Sequence, residues 1–153
     1  RGIAHQNQVG KITIKGVPDK PGIASSVFQP LANANIPVDT IVQNSSSDNL
    51  TDLTFTVASE DLSEAIKVSE KTVKTIGASS LDSTNEVGSV SIIGTGMTSS
   101  PGYAARMFDT LYSKKVNIEI ISTSEIRITC VVQKDSVKTA VTALHDAFEL
   151  DVE

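Results

Sequence analysis

The chain repeats itself, and the repeat limits what it can fold into. A strand-like run, Lys11-Ile12-Thr13-Ile14-Lys15, leads through Gly16-Val17-Pro18-Asp19-Lys20-Pro21-Gly22 into a helix-like run from Ile23 to Ala34. Gly88-Ser89-Val90-Ser91-Ile92-Ile93-Gly94 repeats the strand, and Thr95 to Ser100 repeats the loop. Pro101-Gly102 stands 80 residues after Pro21-Gly22. At the same offset, Val116-Asn117-Ile118-Glu119-Ile120-Ile121 falls on Ile36-Pro37-Val38-Asp39-Thr40-Ile41. Two related units of ~70 residues are therefore expected, each with its own core.

Within the first unit, the strand Lys11–Val17 turns Ile12, Ile14 and Val17 inward. The following helix carries Ile23, Val27, Leu31 and Ala34 on one stripe, with Phe28 beside it. Pro30 should kink it, and Asn35-Ile36-Pro37 should end it. Val38 to Gln43 reads as a strand, Asn44 to Asn49 as a polar turn, and Leu50 to Val57 as a half-buried strand alternating on Leu53, Phe55 and Val57. Glu60-Asp61 opens a second helix with Leu62, Ala65, Ile66, Ser69 and Val73 inward, stopped by Gly77. Ser79 to Asp82 is a short fourth strand, so the unit reads βαββαβ. The second unit follows the same course to a last helix with Val137, Ala140, Val141, Leu144 and Phe148 inward, and then runs out. Its missing strand has a candidate in Gly2-Ile3-Ala4-His5, which a polar turn separates from the first unit's own strand. The expected fold is α+β, two antiparallel sheets covered by helices. The first unit is expected over residues 9–86, the second over 87–153 completed by 1–8.

Composition removes several functions. The formal charge is −5, from 13 basic and 18 acidic residues, and aromatics are only 4%. A nucleic-acid partner needs a basic stripe and something to stack a base on, and neither is present. No apolar stretch approaches a membrane span and no signal peptide is visible. Cys130 is the single cysteine, so no internal disulfide framework exists, and a core thiol in a reducing cytoplasm is expected. The chain opens on Arg1 rather than Met, which leaves a fragment or a processed subunit open. His5, His145 and Cys130 make no cluster with metal spacing. Gly94-Thr95-Gly96 lacks the rest of a phosphate loop. Ser45-Ser46-Ser47 and Ser122-Thr123-Ser124 have no base near them and read as turns. Asp39 and Glu119 match each other in the repeat. They are a candidate carboxylate pair for acid–base work, though solvation at a sheet edge or a contact with a partner suits them better. No catalytic residue, metal or cofactor is assigned.

The loop around Asp19 is the one stretch with binding chemistry. Pro21 suits the first turn of a helix, and Gly22 lets a ligand approach the backbone. The N–H groups at that helix start can seat a carboxylate. Asp19, just before it, can hold an ammonium. Together they fit the two charged groups of a free α-amino acid. A strand–helix turn with a capping Asp and no ligand fits the same residues.

Four runs carry a family resemblance: Val17 to Gly22, Val42-Gln43-Asn44, Asp52-Leu53-Thr54-Phe55-Thr56, and Val116 through Ser122-Thr123-Ser124 to Ile128. They resemble the regulatory region of aspartate kinase, a tandem pair of ACT domains, over nearly the whole chain. The resemblance implies two ferredoxin-like units and a length like that of the separate regulatory (beta) subunit. It implies no kinase domain in this chain, pairing with the ACT domains of a second chain in a homodimer, and a catalytic aspartate kinase subunit as partner. It implies threonine, or lysine, alone or in concert, as a feedback inhibitor in aspartate-family biosynthesis. By the same resemblance the amino acid meets Asp19, Gly22, Ile23, Ala24 and Gln43, with Asn117 and Ile118 from the other chain. Pro37 stands where the second unit has Asn117, and Ser99 where the first has Asp19, so the first loop is expected to make the better site. A free-standing ACT-type regulator of another enzyme, and an enzyme on a ferredoxin-like fold, are the competing classes. Co-purification with a kinase chain separates the first of these, and turnover by the isolated chain the second.

Overall fold

The structure, a computed structural model, describes residues 2–45, 48–95 and 102–149. Its ten main elements are, in order, β1 (Gly2–Pro18), α1 (Ile23–Asn33), β2 (Ile41–Ser45), β3 (Leu50–Ala58), α2 (Leu62–Ile76), β4 (Ser80–Ile93), α3 (Tyr103–Ser113), β5 (Ile118–Thr123), β6 (Arg127–Gln133) and α4 (Val137–Glu149). The chain divides into two compact units, Val9–Asn85 and Arg1–Gln8 with Glu86–Glu153. In the first the strands run β2-β3-β1-β4, and in the second β1-β4-β6-β5. Each is a ferredoxin-like α+β unit, and the N-terminal strand completes the second.

The first core forms because residues directly opposite on paired strands point to the same face. Ile12 stands against Phe55 and Ile14 against Leu53, and all four are at most 1% exposed. Val27 and Leu31 of α1 and Ala65 of α2 close over them. The Phe28 ring meets Phe55 edge-on at 5.3 Å. Burying each such side chain contributes roughly 1.5–3 kcal/mol. The second core repeats the scheme. Val90 stands against Cys130 and Ile92 against Ile128, under Met107, Leu111, Ala140 and Leu144. On the opposite sheet face of each unit a hydroxyl pair bridges the same two strands: Thr13 with Thr54 at 3.0 Å, and Ser91 with Thr129 at 2.7 Å.

Helix ends repeat as well. Asn35 and Lys115 both sit at φ 60 after α1 and α3, and the N–H groups of Ile36 and Val116 donate back to the Leu31 and Leu111 carbonyls. Pro30 lies inside α1 without ending it, and the Ala34 N–H donates to the Pro30 carbonyl at 3.1 Å. α2 begins one 3-10 turn later than expected, after Ser59–Asp61, and Gly77 ends it. Its inner face buries Ala65, Ser69 and Thr72, while Leu62, Ile66 and Val73 are only half-buried.

Three sequence expectations need correction. The polar turn expected near Gln8 does not form, since β1 runs unbroken from Gly2 to Pro18. The short strand at Ser79–Asp82 and the strand from Gly88 are one element, β4. In both cases the polar stretch is a strand whose side chains face water; His5, Gln6, Asn7, Asp82, Ser83 and Glu86 are exposed. Neighbouring β1 and β4 satisfy each other's backbone groups, so no apolar face is needed there. The edge strand β2 begins at Ile41 rather than Val38 and runs to Ser45, into the expected turn. Ser46, Ser47, Ser99 and Pro101, on which further expectations rest, lie outside the described residues.

Candidate functional site

The candidate site begins where β1 leaves the sheet. Pro18, opposite Leu50, is its last residue, and the Asp19 N–H donates to the Asn49 carbonyl at 2.8 Å. This bond ties the loop to the β2–β3 turn. The chain then folds back on itself, and the Ile23 N–H donates to the Lys20 carbonyl at 3.2 Å. Gly22 stands at φ 87, a left-handed conformation that suits glycine and brings bare backbone to the helix start. From there α1 runs with the Ser26 N–H and hydroxyl both donating to the Gly22 carbonyl, at 3.1 and 3.2 Å.

The donors left over are the useful ones. A helix cannot satisfy its own first-turn N–H groups, and no side chain caps this one. The Ile23 N–H is taken by Lys20, so Ala24 and Ser25 present the first-turn amides. Both are exposed, as are Asp19 and Gly22, while Ile23 anchors the helix start in the core at 6% exposure. Gln43 sits on β2 opposite Leu53, which faces Ile14 in turn. That row points to the face that α1 covers, and the Gln43 side chain is exposed. The first unit thus carries a carboxylate and two backbone donors at one helix start, and an amide-bearing side chain on the sheet face that this helix covers. This set matches a small zwitterion with a polar side chain.

Asn117 and Ile118 belong to the other unit. Asn117 is exposed just before β5, and Ile118 is half-buried opposite Val132. The second unit's helix start copies the first in backbone: Gly102 is at φ 105 and the Arg106 N–H donates to its carbonyl at 2.9 Å. Its side chains differ. Tyr103 replaces Ile23 and stacks on Phe148 with centroids 6.3 Å apart, and the Arg106 guanidinium lies 5.3 Å from the same ring centre. Sequence reasoning did not foresee this aromatic and cationic filling of the second helix start.

The other sequence candidates do not gather. Glu119 accepts a hydrogen bond from the Gln133 amide, and the Asp39 N–H donates to the Thr56 carbonyl, so each carboxylate residue is tied into its own sheet. Cys130 is buried beside Met107, with its thiol pushed up to about 12 by desolvation, which makes it a poor nucleophile. Among the described residues, no group of three His, Cys, Asp or Glu side chains is placed to hold a metal. No described helix is long and apolar enough to cross a membrane. Two contacts at the site were not foreseen: the Asn49 carbonyl on Asp19, and the Asp52 carboxylate on the Gly16 N–H at 3.1 Å. A break in the apolar alternation of β1, from Ile12 and Ile14 to Val17, is the sequence signal that could have flagged the second.

Comparison with known proteins gives the family. The ACT domain family profile matches residues 12–72 and 90–148, once in each unit. An aspartate kinase of Pseudomonas fluorescens is 47% identical over 150 residues, covering 98% of this chain and 36% of that protein. The chain thus spans about a third of the length of the curated relatives it matches. The ligand-free regulatory subunit of aspartate kinase from Thermus thermophilus superposes with a TM-score of 0.90 at 36% identity, over 97% of each chain. A chain from a structure of aspartokinase alpha and beta subunits gives 0.89 at 39% identity, covering 97% of this chain and 98% of that one. The repeat, the paired ferredoxin-like units and these full-length likenesses agree: the chain belongs to the ACT domain family, as the tandem ACT pair of an aspartate kinase regulatory region.

Proposed function

We infer that this ACT pair senses threonine and relays its level to a catalytic aspartate kinase chain in the cytoplasm, with no catalysis of its own. The observation that carries the reading is the first-unit loop, where the exposed Asp19 carboxylate precedes the Ala24 and Ser25 amides at an uncapped helix start. The amides take the ligand carboxylate and Asp19 its ammonium, while Gln43 meets the side-chain hydroxyl. Gly22 leaves room for the ligand against the backbone, and Ile23 holds the helix start in place. Asn117 and Ile118, supplied by the second unit of another chain in a homodimer, close the pocket and remove it from water. That closure matters because Asp19 is open to solvent in the single chain, where an ion pair is worth little. Feedback inhibition follows if the catalytic chain responds to the closed form.

Titration calorimetry with the twenty amino acids tests the reading. Threonine should bind the parent chain. Truncating one partner of a desolvated charge pair costs roughly 2 kcal/mol or more, so Asp19→Ala should weaken threonine by about 30-fold. Gln43→Ala removes a neutral hydrogen bond worth roughly 0.5–1.5 kcal/mol and should cost no more than about tenfold. A bulky residue at Ala24 should abolish binding. If Asp19→Ala binds threonine as the parent does, the site is misplaced. A response to lysine alone, or to lysine only when threonine is present, would reassign the effector without moving the site. Binding with no effect on, and no co-purification with, an aspartate kinase chain would favour a regulator of another enzyme.

A further inference from the structure

The β1–β3 ladder slips just before the candidate site. Ile14 pairs with Leu53 and Val17 with Thr51, so Lys15 and Gly16 together stand against Asp52 alone. This is a β-bulge, a device that bends a strand and re-aims the residues after it. Gly16 is at φ +66, where an L side chain is strained. The slip takes its N–H out of the ladder, and the Asp52 Oδ1 accepts it at 3.1 Å. On the other side the Lys15 carbonyl accepts the Ser79 N–H at 2.8 Å. The Lys15 ammonium meets the Asp82 carboxylate at 3.0 Å. A Cβ on Gly16 would lie 2.1 Å from the Ser79 hydroxyl oxygen. The bulge is therefore clasped by β3 on one side and by the start of β4 on the other.

Little slack separates the bulge from the loop. Val17 is fully buried, Pro18 has a fixed φ, and the Asp19 N–H is already bonded to Asn49. A turn of the backbone at Gly16 therefore carries through to the direction of Asp19 and of the α1 start. Without the bulge, period-2 alternation would bury residue 16 and turn Val17 outward.

We propose that Asp52 is a positioning residue for the amino-acid site: by accepting the Gly16 N–H it holds the bulge that sets where Asp19 and the first-turn amides of α1 stand. The inference rests on the first-unit loop being the effector site. It needs the acceptor oxygen of Asp52 and not its charge, which separates it from a direct electrostatic effect of Asp52 on a bound ammonium.

The test uses the full chain and three variants: Asp52→Ala, Asp52→Asn and Gly16→Ala. Threonine affinity is read by calorimetry and folding by thermal melting. Asp52→Ala should bind threonine about tenfold more weakly. Asp52→Asn, which keeps an oxygen acceptor in place, should stay within about threefold of the parent. Gly16→Ala disturbs the same bulge by strain and should lose affinity as Asp52→Ala does, so a folding failure of either one leaves the other to decide. Parent-like affinity in Asp52→Ala, or equal losses in the Ala and Asn variants, would overturn the proposal. If the parent binds none of the twenty amino acids, the effector reading fails, and amide exchange of the ligand-free chain decides the inference. Asp52→Ala should then speed exchange at Gly16 and Asp19 while Asp52→Asn does not; unchanged exchange at Asp19 in Asp52→Ala sinks it.

Discussion

Cys130 shows how one buried residue ties stability to pH. Its thiol lies within the second core, 4.0 Å from the Met107 sulfur, and desolvation raises it from an ordinary 9.0 to about 12. Burial favours the neutral thiol, so the folded chain keeps its proton at a pH where the unfolded chain has lost it. The contribution is fully present below about pH 9 and is lost as the pH climbs toward about 12. Urea melts of the parent at pH 8 and pH 10.5 should show a fall in stability that is smaller in Cys130→Ala. Equal falls in both chains would remove Cys130 as the cause. A chromogenic disulfide reagent at pH 8 should react with the parent only as fast as the chain unfolds. At the same scale, Lys15 is held above its ordinary value, first by its hydrogen bond to Asp82 and then by the Asp82 charge. That pair is exposed, and its value is geometric: it adds to the contacts between β1 and the start of β4 beside the bulge.

At the scale of elements, β1 and β4 do double duty. Gly2–Gln8 of β1 falls with the second unit and Val9–Pro18 with the first, while β4 changes unit at Glu86. Ile3 packs against the second core. Removing residues 2–8 would therefore strip a neighbouring strand from β4 and open the backbone groups along its edge. We expect the second unit to lose most. Amide exchange should accelerate over Val87–Ile93 and Arg127–Gln133 while the Ile12–Ile14 and Leu53–Val57 ladder keeps its protection. Acceleration confined to residues 10–80 would contradict this division of β1.

For the whole molecule, the telling feature is the pair of sheet edges. β2 ends the strand order in one unit and β5 in the other. They carry Ile41 and Ile121 at matching places in the repeat, 52% and 47% exposed. An unpaired edge with an exposed β-branched residue invites another strand, and monomeric proteins usually blunt such edges with charge or proline. A net charge of −5 keeps association from being indiscriminate without preventing a specific pairing. We expect a homodimer through these edges, so light scattering at micromolar concentration with threonine should give about twice the 16.2 kDa of one chain. A species of 16.2 kDa under those conditions would rule the pairing out, and with it the supply of Asn117 and Ile118 to a neighbour's site.

The sequence by itself determined the elements and their repetition. Apolar residues at Ile23, Val27 and Leu31, and again at Met107 and Leu111, mark helices because only a 3.6-residue period puts them on one face. Alternation at Leu53, Phe55 and Val57 marks a strand for the corresponding reason. The Pro21-Gly22 loop could be read as a carboxylate seat because backbone amides at a helix start are set by local chain geometry. Tertiary structure decided what depends on which distant residue lies opposite. The strands through Gln6–Gln8 and Ser83–Glu86 have no apolar pattern to announce them; they exist because β1 and β4, far apart in sequence, are neighbours in the strand order. The face on which Gln43 stands follows from its register with Leu53, and a slip of one residue would reverse it. Val17 could be read as inward from its apolar character, but the bonds from Asp19 to Asn49 and from Gly16 to Asp52 depend on which residues of β3 and its turn lie opposite the bulge.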